Sequence, residues 1–347
     1  MSRFFHVLAC LIFLPIAACS PPPLSIMTVS GPVAATEMGK TLIHEHVFLD
    51  WSGADSIDPS QWDSEAAYAA ILPRLEAVKT HGVRTVLECT PAYLGRNPRL
   101  LQQLSAATGL QILTNTGCYG ARNNQHLPRY IVDESLDEIA TRWSREAAEG
   151  IEGTGVRPGF IKIGVNSDSV LSEIHEKLVR AAARTHKRTG LTIVGHTGPE
   201  KPAYAQLKIL AEEGVAASAF VWTHAQSGSP EAHLDIARQG AWVSLDGMGW
   251  MAPDSTKREN ALTLKRYADL IENLRQHQLL HRLLISHDAG WYTHGEADGG
   301  EYRPYTDIFV RVIPELQARG FTPAEIDQLL IDNPREAYAI RVRKRMY

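Results

Sequence analysis

Short apolar stretches and longer amphipathic stretches alternate along most of the chain. Eight apolar, β-branched segments have the length of buried strands, and the segments between them carry apolar residues at helical spacing. The predicted strands span residues 41–50, 83–90, 110–119, 159–165, 191–196, 219–224, 242–246 and 283–288. The predicted helices span residues 65–80, 98–108, 135–149, 171–188, 202–213, 230–239, 260–278, 305–319 and 323–330. This order is typical of parallel strands joined by crossover helices.

Eight strand–helix units predict one α/β domain that closes into a (β/α)8 TIM barrel. The alternative is an open doubly wound sheet, which would usually carry a glycine-rich phosphate-binding turn after an early strand. No such turn follows the early predicted strands, and no linker divides the 347 residues into two domains. We therefore expect a functional site at the C-terminal ends of the strands, where barrel enzymes place their catalytic groups.

The first residues of the chain have the pattern of an export signal. An apolar run from residue 4 to 18 follows Arg3, and it is too short for a comfortable transmembrane span. The run ends in Ile16-Ala17-Ala18-Cys19, which resembles a bacterial lipobox. In that interpretation Cys19 becomes the lipidated first residue, and the alternative is an ordinary signal cut beside a chance cysteine.

The predicted organisation is a signal peptide at 1–18, a lipidated tether at 19–35 that polyproline stiffens at 21–23, and the barrel domain at 36–347. Serine, not aspartate, follows Cys19, which favours sorting to the outer membrane of a Gram-negative cell. We expect an exported protein that is anchored by lipid in the bacterial cell envelope and faces the periplasm.

Charge and cysteine content narrow the class of protein further. The formal net charge is −4 and no basic stripe precedes residues 341–345, which argues against nucleic-acid binding. The basic segment 341–345 is interpreted as a solvated helix end. Cys89 and Cys118 could pair in an oxidising compartment, but a chain with 44% hydrophobic residues needs no disulfide to hold its core. Two buried free thiols are therefore predicted.

Six polar residues lie near the ends of the predicted strands, namely His44, His46, Lys162, His196, His224 and Asp288. Each has an ordinary structural interpretation alone, but a barrel would bring all six to one mouth. Neutral imidazoles and a carboxylate are the ligands of zinc and similar divalent ions. Two such ions need a bridging anion, and a buried lysine amine can become one by forming a carbamate with carbon dioxide. The pattern indicates a metal-dependent enzyme.

Several of these segments resemble the phosphotriesterase family of the amidohydrolase superfamily, including its lactonase branch. The similar segments are 41–46, 160–164, 195–197, 223–224, 286–288 and 332–337. The resemblance implies a binuclear hydrolase with zinc, or alternatively manganese, cobalt or iron(II). His44, His46 and Asp288 would hold the more buried ion, and His196 and His224 the more exposed one. Carbamylated Lys162 and a nucleophilic hydroxide would bridge the ions, and Asp288 would orient or deprotonate the nucleophile.

Two positions depart from the family pattern. Gly247 stands where organophosphate-hydrolysing relatives have a histidine and lactonases an arginine, and Ser227 stands where relatives use an aspartate in a proton relay. His287 or Asp246 would have to complete such a relay. Tyr119 matches a lactonase tyrosine near the substrate carbonyl. The aromatic residues Trp250, Trp291 and Tyr292 are predicted to wall an apolar substrate.

The resulting hypothesis is a hydrolase of ester bonds, with lactones or carboxylic esters cleaved better than phosphotriesters. A lactone keeps its leaving alkoxide tethered, so protonation by Asp288 alone would suffice. The alternatives are an amidase of a small N-acyl compound and an inactive metal-binding lipoprotein. The expected partners are a small-molecule substrate and, through the lipid only, the membrane, with no nucleic acid. A homodimer stays open.

Overall fold

A computed structural model of the protein describes residues 23–168, 170–256 and 261–345. The predicted signal peptide, Cys19 and the first residues of the tether lie outside the described residues. The remainder is a (β/α)8 barrel, so the predicted fold class is confirmed. The barrel strands are β3 (Lys40–Leu49), β4 (Val83–Glu88), β5 (Gln111–Leu113) with its continuation β6 (Asn115–Thr116), β7 (Phe160–Gly164), β8 (Thr192–His196), β9 (Phe220–Thr223), β10 (Trp242–Leu245) and β11 (Leu283–Ile285). Two short strands, β1 (Ser25–Thr28) and β2 (Gly31–Ala34), precede the barrel, and β12 (Gly290–Thr293) follows β11.

The strands form a closed ring because each pairs in parallel with the next along the chain. Closure occurs just after β11, where the chain bonds to β3. The amide of His46 donates to the carbonyl of Ala289 at 2.8 Å, and the amide of Asp288 donates to the carbonyl of His44 at 3.0 Å. The two predicted metal-site segments at the ends of the sequence are thereby joined by backbone hydrogen bonds.

Helices cover the outside of the ring. They are α1 (Ser64–Lys79), α2 (Pro98–Thr108), α3 (Tyr130–Asp133), α4 (Leu136–Glu149), α5 (Glu173–Thr189), α6 (Glu200–Glu212), α7 (Pro230–Arg238), α8 (Leu264–Gln276), α9 (Ile313–Ala318), α10 (Pro323–Asp327) and α11 (Asn333–Tyr338). The bounds of α1, α2 and α4–α8 lie within about four residues of the predicted ones, whereas α3 and α11 were not predicted and α9 is shorter than the predicted helix at 305–319. Side-chain caps begin several of them, including a capping box of Ser135 and Glu138 at α4. Left-handed Gly109 and Gly190 end α2 and α5, as the glycine pattern predicts.

Apolar side chains fill the lower part of the barrel interior. They come from successive strands and are fully buried, namely Ile43, Leu87, Leu113, Phe160, Val194, Val221, Trp242 and Leu284. The packed interior leaves no open pore, so polar side chains can collect only at the upper end. A second apolar layer packs the outer faces of the strands against the helices.

A hairpin of β1 and β2 closes the barrel floor. Ile26 is buried among the lowest interior residues, the amide of Val29 donates to Ile112, and the amide of Ile340 donates to Ser25. This hairpin lies within the predicted tether at 19–35, but its backbone and side chains are part of the folded barrel. No helix in the described ranges combines the length and the apolar character needed to cross a bilayer.

The basic C-terminal segment also packs against the floor. Arg343 is buried, and its guanidinium donates to the carbonyls of Glu336, Ala337 and Ala339 at 2.8, 3.0 and 3.2 Å. Burial, together with the nearby charges of Arg341 and Arg282, lowers the pKa of Arg343 to about 10. The interpretation of this segment as a solvated helix end is therefore wrong at Arg343, which satisfies the carbonyls at the end of α11.

Both cysteines in the described part of the chain, Cys89 and Cys118, are free and buried, as predicted. Burial raises the pKa of each thiol, so neither is a reactive nucleophile. Cys89 lies inside the barrel beneath the polar upper end, where its thiol contacts the carbonyl of Ile43 at 3.7 Å. They act as small apolar residues.

Candidate metal centre

All six predicted metal-site residues lie together at the upper end of the barrel. His44 and His46 project from within β3 rather than from its end, Lys162 comes from β7, and His196 ends β8. His224 directly follows β9, and Asp288 lies three residues after the end of β11. A cavity of about 60 Å³ is lined by all of them except His44, which lies against Lys162.

One nitrogen of each histidine points into this cluster, away from any protein oxygen except that of Asp288. His46 Nε2 lies 3.2 Å and His44 Nε2 3.8 Å from Asp288 Oδ1. His224 Nε2 and His196 Nδ1 face each other at 2.9 Å. Donor atoms of His44, His224 and Asp288 lie within 4.8 Å of one another, which is compact enough to hold a metal ion.

The other ring nitrogen of each histidine contacts an oxygen behind the cluster. His46 Nδ1 lies 2.9 Å from Thr90 Oγ1, and His196 Nε2 lies 3.1 Å from the hydroxyl of Tyr119. Such contacts fix the tautomer and the ring orientation of metal-binding histidines. Together with the inward nitrogens, they give the donor arrangement that a metal site requires.

Asp246, at the end of β10, holds two of the four imidazoles. Its Oδ2 lies 3.0 Å from His44 Nδ1, and its Oδ1 lies 2.8 Å from His224 Nδ1. The amide of His224 and the hydroxyl of Ser244 also donate to this fully buried carboxylate. Asp246 was predicted only as a member of a proton relay, whereas in the structure it contacts histidines that are predicted to bind different ions.

Lys162 is fully buried and forms no ion pair with any residue in the described ranges. Its Nζ lies 3.3 Å from His44 Nε2, and Lys162 lines the cavity together with His46, His196 and His224. A buried, unpaired ammonium is costly, so a neutral amine or an amine converted to an anion fits this place better. The position suits a group that bridges two ions.

The carboxylate of Asp288 contributes a further inward donor. Its Oδ1 is buried and accepts no hydrogen bond from the described residues. Burial raises the pKa of Asp288, but the contact with His46 and the charges of the nearby histidines lower it by more, so the net shift of the pKa is downward. An ionised, unsatisfied oxygen beside four imidazoles is the orphaned atom that a cation would satisfy.

Burial favours the neutral form of two histidines in the cluster, His44 and His196. Burial, reinforced by Lys162, lowers the pKa of His44 to about 4, and burial together with His224 holds that of His196 well below its usual range. Burial also lowers the pKa of His224, but Asp246 raises it more strongly. Metal ligands must be unprotonated imidazoles, so a cation would compete with a proton mainly at His224.

Backbone strain supports the placement of two donors. His224 and Asp288 both have positive φ, at 56° and 54°. The backbone amide of His224 donates a hydrogen bond to Asp246 Oδ1, which holds His224 in this conformation. The carbonyl of Asp288 accepts hydrogen bonds from the indole nitrogens of Trp250 at 2.7 Å and Trp291 at 2.9 Å. Non-glycine residues persist in this conformation where the surroundings enforce it, often at functional sites.

The predicted substrate residues lie in different surroundings. Trp291 lines the cavity with its ring 5.6 Å from that of His46, and Trp250 lies 5.1 Å beyond Trp291. Tyr119 also lines the cavity but contacts His196 through its hydroxyl. Tyr292 stacks on Phe48 and, like Trp250, is not among the residues that line the 60 Å³ cavity.

The structure explains one of the two departures from the family pattern, the glycine at position 247. A Cβ atom at Gly247 would lie 2.4 Å from Gln226 Nε2 and 2.8 Å from the Tyr267 hydroxyl. Gln226 and Tyr267 therefore occupy the space into which a side chain at 247 would project. His287 cannot replace the missing relay group, because its ring is buried between Glu45 at 2.8 Å and the amide of Ile308 at 3.0 Å.

Comparisons with known proteins agree with this geometry. The sequence model of the phosphotriesterase family matches residues 24–338. The phosphotriesterase homology protein of Escherichia coli (strain K12) is 30% identical over 303 residues, covering 86% of this chain and 98% of that protein. The N-acetyltaurine hydrolase of Homo sapiens is 25% identical over 348 residues, with 90% and 97% covered. The solved organophosphorus hydrolase from Deinococcus radiodurans superposes with a TM-score of 0.81 at 29% identity, covering 91% of this chain and 97% of that one.

Proposed function

The chain belongs to the phosphotriesterase family, a family of hydrolases, and from that premise we propose that it is a binuclear metal-dependent hydrolase of ester bonds. The observation that carries the proposal is the set of inward donors. Four imidazoles and Asp288 converge while their outer atoms are held by Asp246, Thr90, Tyr119 and backbone contacts. Such preorganised donors have no structural use without a cation.

The residues divide into two overlapping ligand sets. His44, His46 and Asp288 would hold one ion, His196 and His224 the other, and zinc fits these nitrogen and oxygen ligands, as manganese, cobalt or iron(II) also would. When bound, the two ions would polarise the acyl or phosphoryl oxygen of the substrate and make water acidic enough to attack it. Asp246 would couple the two sets, because it contacts one imidazole of each.

We propose a carbamate on Lys162 as the bridge between the two sets. The neutral amine adds to carbon dioxide, one N–C bond forms, and one proton leaves. The product is an anion in the place where Lys162 otherwise has no ion-pair partner in the described structure. Burial protects the carbamate from water, and neighbouring cations would stabilise its charge.

Asp288 has the position of the general base. With Oδ1 toward the ion, the other oxygen of its carboxylate can accept a proton from the attacking water and return it to the leaving group. The depressed pKa keeps the carboxylate ionised and ready to accept at neutral pH. The indole donors on its carbonyl hold the residue in place while the proton moves.

The substrate class that suits this site best is a lactone or another carboxylic ester. Ser227 and Gly247 supply neither the relay acid nor the assisting side chain of phosphotriester-cleaving relatives, and the space at 247 is filled. A lactone keeps its alkoxide tethered, so return of one proton from Asp288 completes the reaction. Trp250 and Trp291 provide an apolar wall for an acyl tail.

The second candidate is amide hydrolysis of a small N-acyl compound. The similarity to an N-acetyltaurine hydrolase over 90% of this chain favours it. The same donors can activate water against an amide, but the amine leaving group must be protonated as it departs. Asp288 would carry that proton too, and the demand on it would be greater than for an ester.

The test is kcat/KM for four compounds on one zinc-loaded preparation: an aliphatic lactone, an aryl ester, an aryl phosphotriester and an N-acyl amide. We expect the lactone or the aryl ester to be cleaved fastest. A phosphotriester preferred by tenfold, about 1.4 kcal/mol of transition-state free energy, would reverse the ordering. A preferred amide would establish the second candidate, and no turnover of any compound would contradict the hydrolase.

We also propose that the protein acts at a membrane surface, exported and anchored through a lipid on Cys19. The support is the lipobox-like segment that ends in this cysteine. Such a location would expose the enzyme to small molecules of the periplasm. Nucleic acid is not an expected partner of a chain with a net charge of −4.

A further inference from the structure

Three tryptophans form a row across the mouth of the site. An arginine side chain lies against each end of the row, and the proposed hydrolysis gives these two arginines no role. We call Trp51, Trp291 and Trp250 the tryptophan row, because their rings lie 5.5 Å and then 5.1 Å apart in that order. The guanidinium of Arg122 lies 4.5 Å from the ring of Trp51, and that of Arg303 lies 3.4 Å from the ring of Trp250.

The two arginines differ in what else they contact. Arg303 has a carboxylate partner, Glu301, at 3.8 Å. Arg122 is exposed and, within the described part of the chain, its side chain forms no ion pair and no hydrogen bond. Its five N–H donors therefore face solvent at the rim of the cavity that Trp51 lines. A cation so placed is available to an incoming anion.

A strained turn presents Arg122. Arg122, Asn123 and Asn124 all have positive φ, at 58°, 57° and 65°. His175 and Asn166 support this turn: His175 Nε2 lies 3.0 Å from Asn124 Oδ1, and the amide of Asn123 donates to Asn166 Oδ1 at 3.2 Å. Three consecutive left-handed residues persist only when their surroundings hold them, and such strain clusters at ligand-binding sites.

Trp51 connects Arg122 to the candidate metal centre. The guanidinium of Arg122 lies over the ring of Trp51, and Trp51 lines the same cavity as His196, His224 and Asp288. Tyr119 also lines this cavity, and its hydroxyl lies 3.1 Å from His196. A small substrate in the cavity would therefore lie between the candidate metal site and the indole on which Arg122 stacks.

We propose that Arg122, stacked on Trp51, is the binding subsite for a carboxylate of the substrate, so that the substrate is a small acyl compound with an anionic group. This inference rests on the proposed function. A guanidinium presents a planar fork that matches a carboxylate through two parallel hydrogen bonds. Stacking on the indole holds the fork flat, and Trp51 and Trp291 cover the apolar part of the substrate between the carboxylate and the acyl bond. Arg122 binds and selects the substrate and takes no part in proton transfer.

The test compares matched substrates on the zinc-loaded enzyme. 4-Acetoxybenzoate and 4-acetoxybenzamide carry the same acyl bond and differ in charge. The ratio of their kcat/KM values in the wild type, divided by the ratio in Arg122→Gln, cancels their intrinsic reactivities. We expect this quotient to be roughly tenfold or more, mainly through KM for the benzoate, while the benzamide is cleaved as in the wild type.

Two further variants sharpen the assignment. Arg122→Lys keeps the charge and loses the fork, so it should restore only part of the preference for the benzoate. Arg303→Gln removes the cation at the other end of the tryptophan row and should leave the ratio unchanged. A ratio that falls in Arg303→Gln and not in Arg122→Gln would overturn the assignment, as would an unchanged ratio in Arg122→Gln.

Failure of the inference and failure of the proposed function have different signatures. If the wild type cleaves both compounds and the quotient is close to one, the carboxylate subsite is overturned and the hydrolase is left intact. If neither compound nor any lactone is cleaved, the hydrolase fails, and quenching of tryptophan fluorescence by benzoate and benzamide then tests the subsite alone. Benzoate that binds equally to the wild type and Arg122→Gln would contradict the subsite.

Discussion

The carboxylate of Asp246 contacts imidazoles from two different strands, and this makes it the residue through which the two proposed ligand sets depend on each other. Each oxygen faces one ring nitrogen, at 3.0 Å for His44 and 2.8 Å for His224. Burial raises the pKa of Asp246, but His224 and His44 lower it more, so the carboxylate stays ionised. An ionised carboxylate accepts from both imidazoles at once, and no neutral side chain of this size can do so.

Asp246→Asn should therefore weaken zinc binding by roughly 10- to 100-fold. An amide has only one oxygen, so its NH2 group would face the N–H of one imidazole and turn that ring or change its tautomer. The measurement is competition with a fluorescent chelator. Ser244→Ala is the matched control, because it removes one hydrogen bond from the same carboxylate at 2.7 Å and leaves both histidine contacts. Equal zinc affinity in Asp246→Asn and the wild type would refute the orienting role.

Glu88, a buried carboxyl group near the candidate metal centre, should make the stability of the fold depend on pH. Burial raises the pKa of Glu88 from 4.5 to about 7, and its Oε2 has no hydrogen-bond partner among the described residues. The folded protein therefore keeps a proton that the unfolded chain releases, and stability is lost as the pH rises from about 4.5 to 7. The rise corresponds to about 3 kcal/mol at most.

Glu88→Gln should remove this loss. The difference in unfolding free energy between Glu88→Gln and the wild type should shift in favour of the variant as the pH is raised from 5 to about 7.5. Urea unfolding of metal-free protein measures it, and the exposed Glu76→Gln serves as the control. A difference that stays constant with pH would show that Glu88 does not titrate in this range.

The convergence of the six candidate metal-site residues could be predicted from the sequence because each lies in or just after an apolar strand, and a barrel brings such positions together. The contact of Thr90 with His46, and the contacts of Asp246 with His44 and His224, were not predicted. Those contacts join residues 44 and 202 positions apart and depend on the ring being closed. The signal for Asp246 was nonetheless present, since it is the last residue of the predicted strand at 242–246.

At the scale of elements, closure of the barrel depends on Glu45, the residue between the two histidines of β3. Glu45 Oε1 accepts from the Ser286 hydroxyl at 2.8 Å and from the amide and Nδ1 of His287 at 3.1 and 2.8 Å, and Oε2 accepts from the Ala289 amide at 3.0 Å. All four donors belong to the segment that follows β11. One buried carboxylate thus joins the last barrel strand to the first.

Glu45→Gln should destabilise the metal-free protein by about 3 kcal/mol, because its amide group would face a backbone N–H and leave buried donors unpaired. The shift in the midpoint of urea unfolding measures the loss. Glu37→Gln, an exposed substitution near the same strand, should change the midpoint little. A midpoint for Glu45→Gln equal to that of Glu37→Gln would mean that the segment after β11 is held by other contacts.

Most elements were predictable because their periodicity and caps are local. The helix at 98–108 has the predicted bounds, and the barrel strands agree within a few residues. The hairpin of β1 and β2, helix α11 and the π-helical segments Ile308–Val312 and Gln328–Asp332 were not predicted. The hairpin packs on the barrel floor, and the first π-helical segment begins where the amide of Ile308 donates to His287 Nε2. Local sequence propensity does not encode such long-range contacts.

At the scale of the whole molecule, the anchor proposal has a direct test. Cys19→Ser should release the protein into the soluble fraction of cells, whereas the wild type should sediment with membranes, because one thioether-linked lipid group would be lost without change to the barrel. Immunoblots of separated fractions measure the distribution. Cys89→Ser, a substitution inside the folded domain, controls for release caused by instability. Equal release of Cys19→Ser and the wild type would remove the anchor.

The central claim is that the converging residues bind two metal ions through a bridging Lys162. Elemental analysis of protein purified with added zinc and bicarbonate tests it most directly. The account predicts about two zinc ions per chain in the wild type and less than about one in Lys162→Ala with the barrel intact, because the alanine cannot bridge the two ligand sets. A wild-type stoichiometry well below one, or a Lys162→Ala stoichiometry equal to that of the wild type, would contradict it.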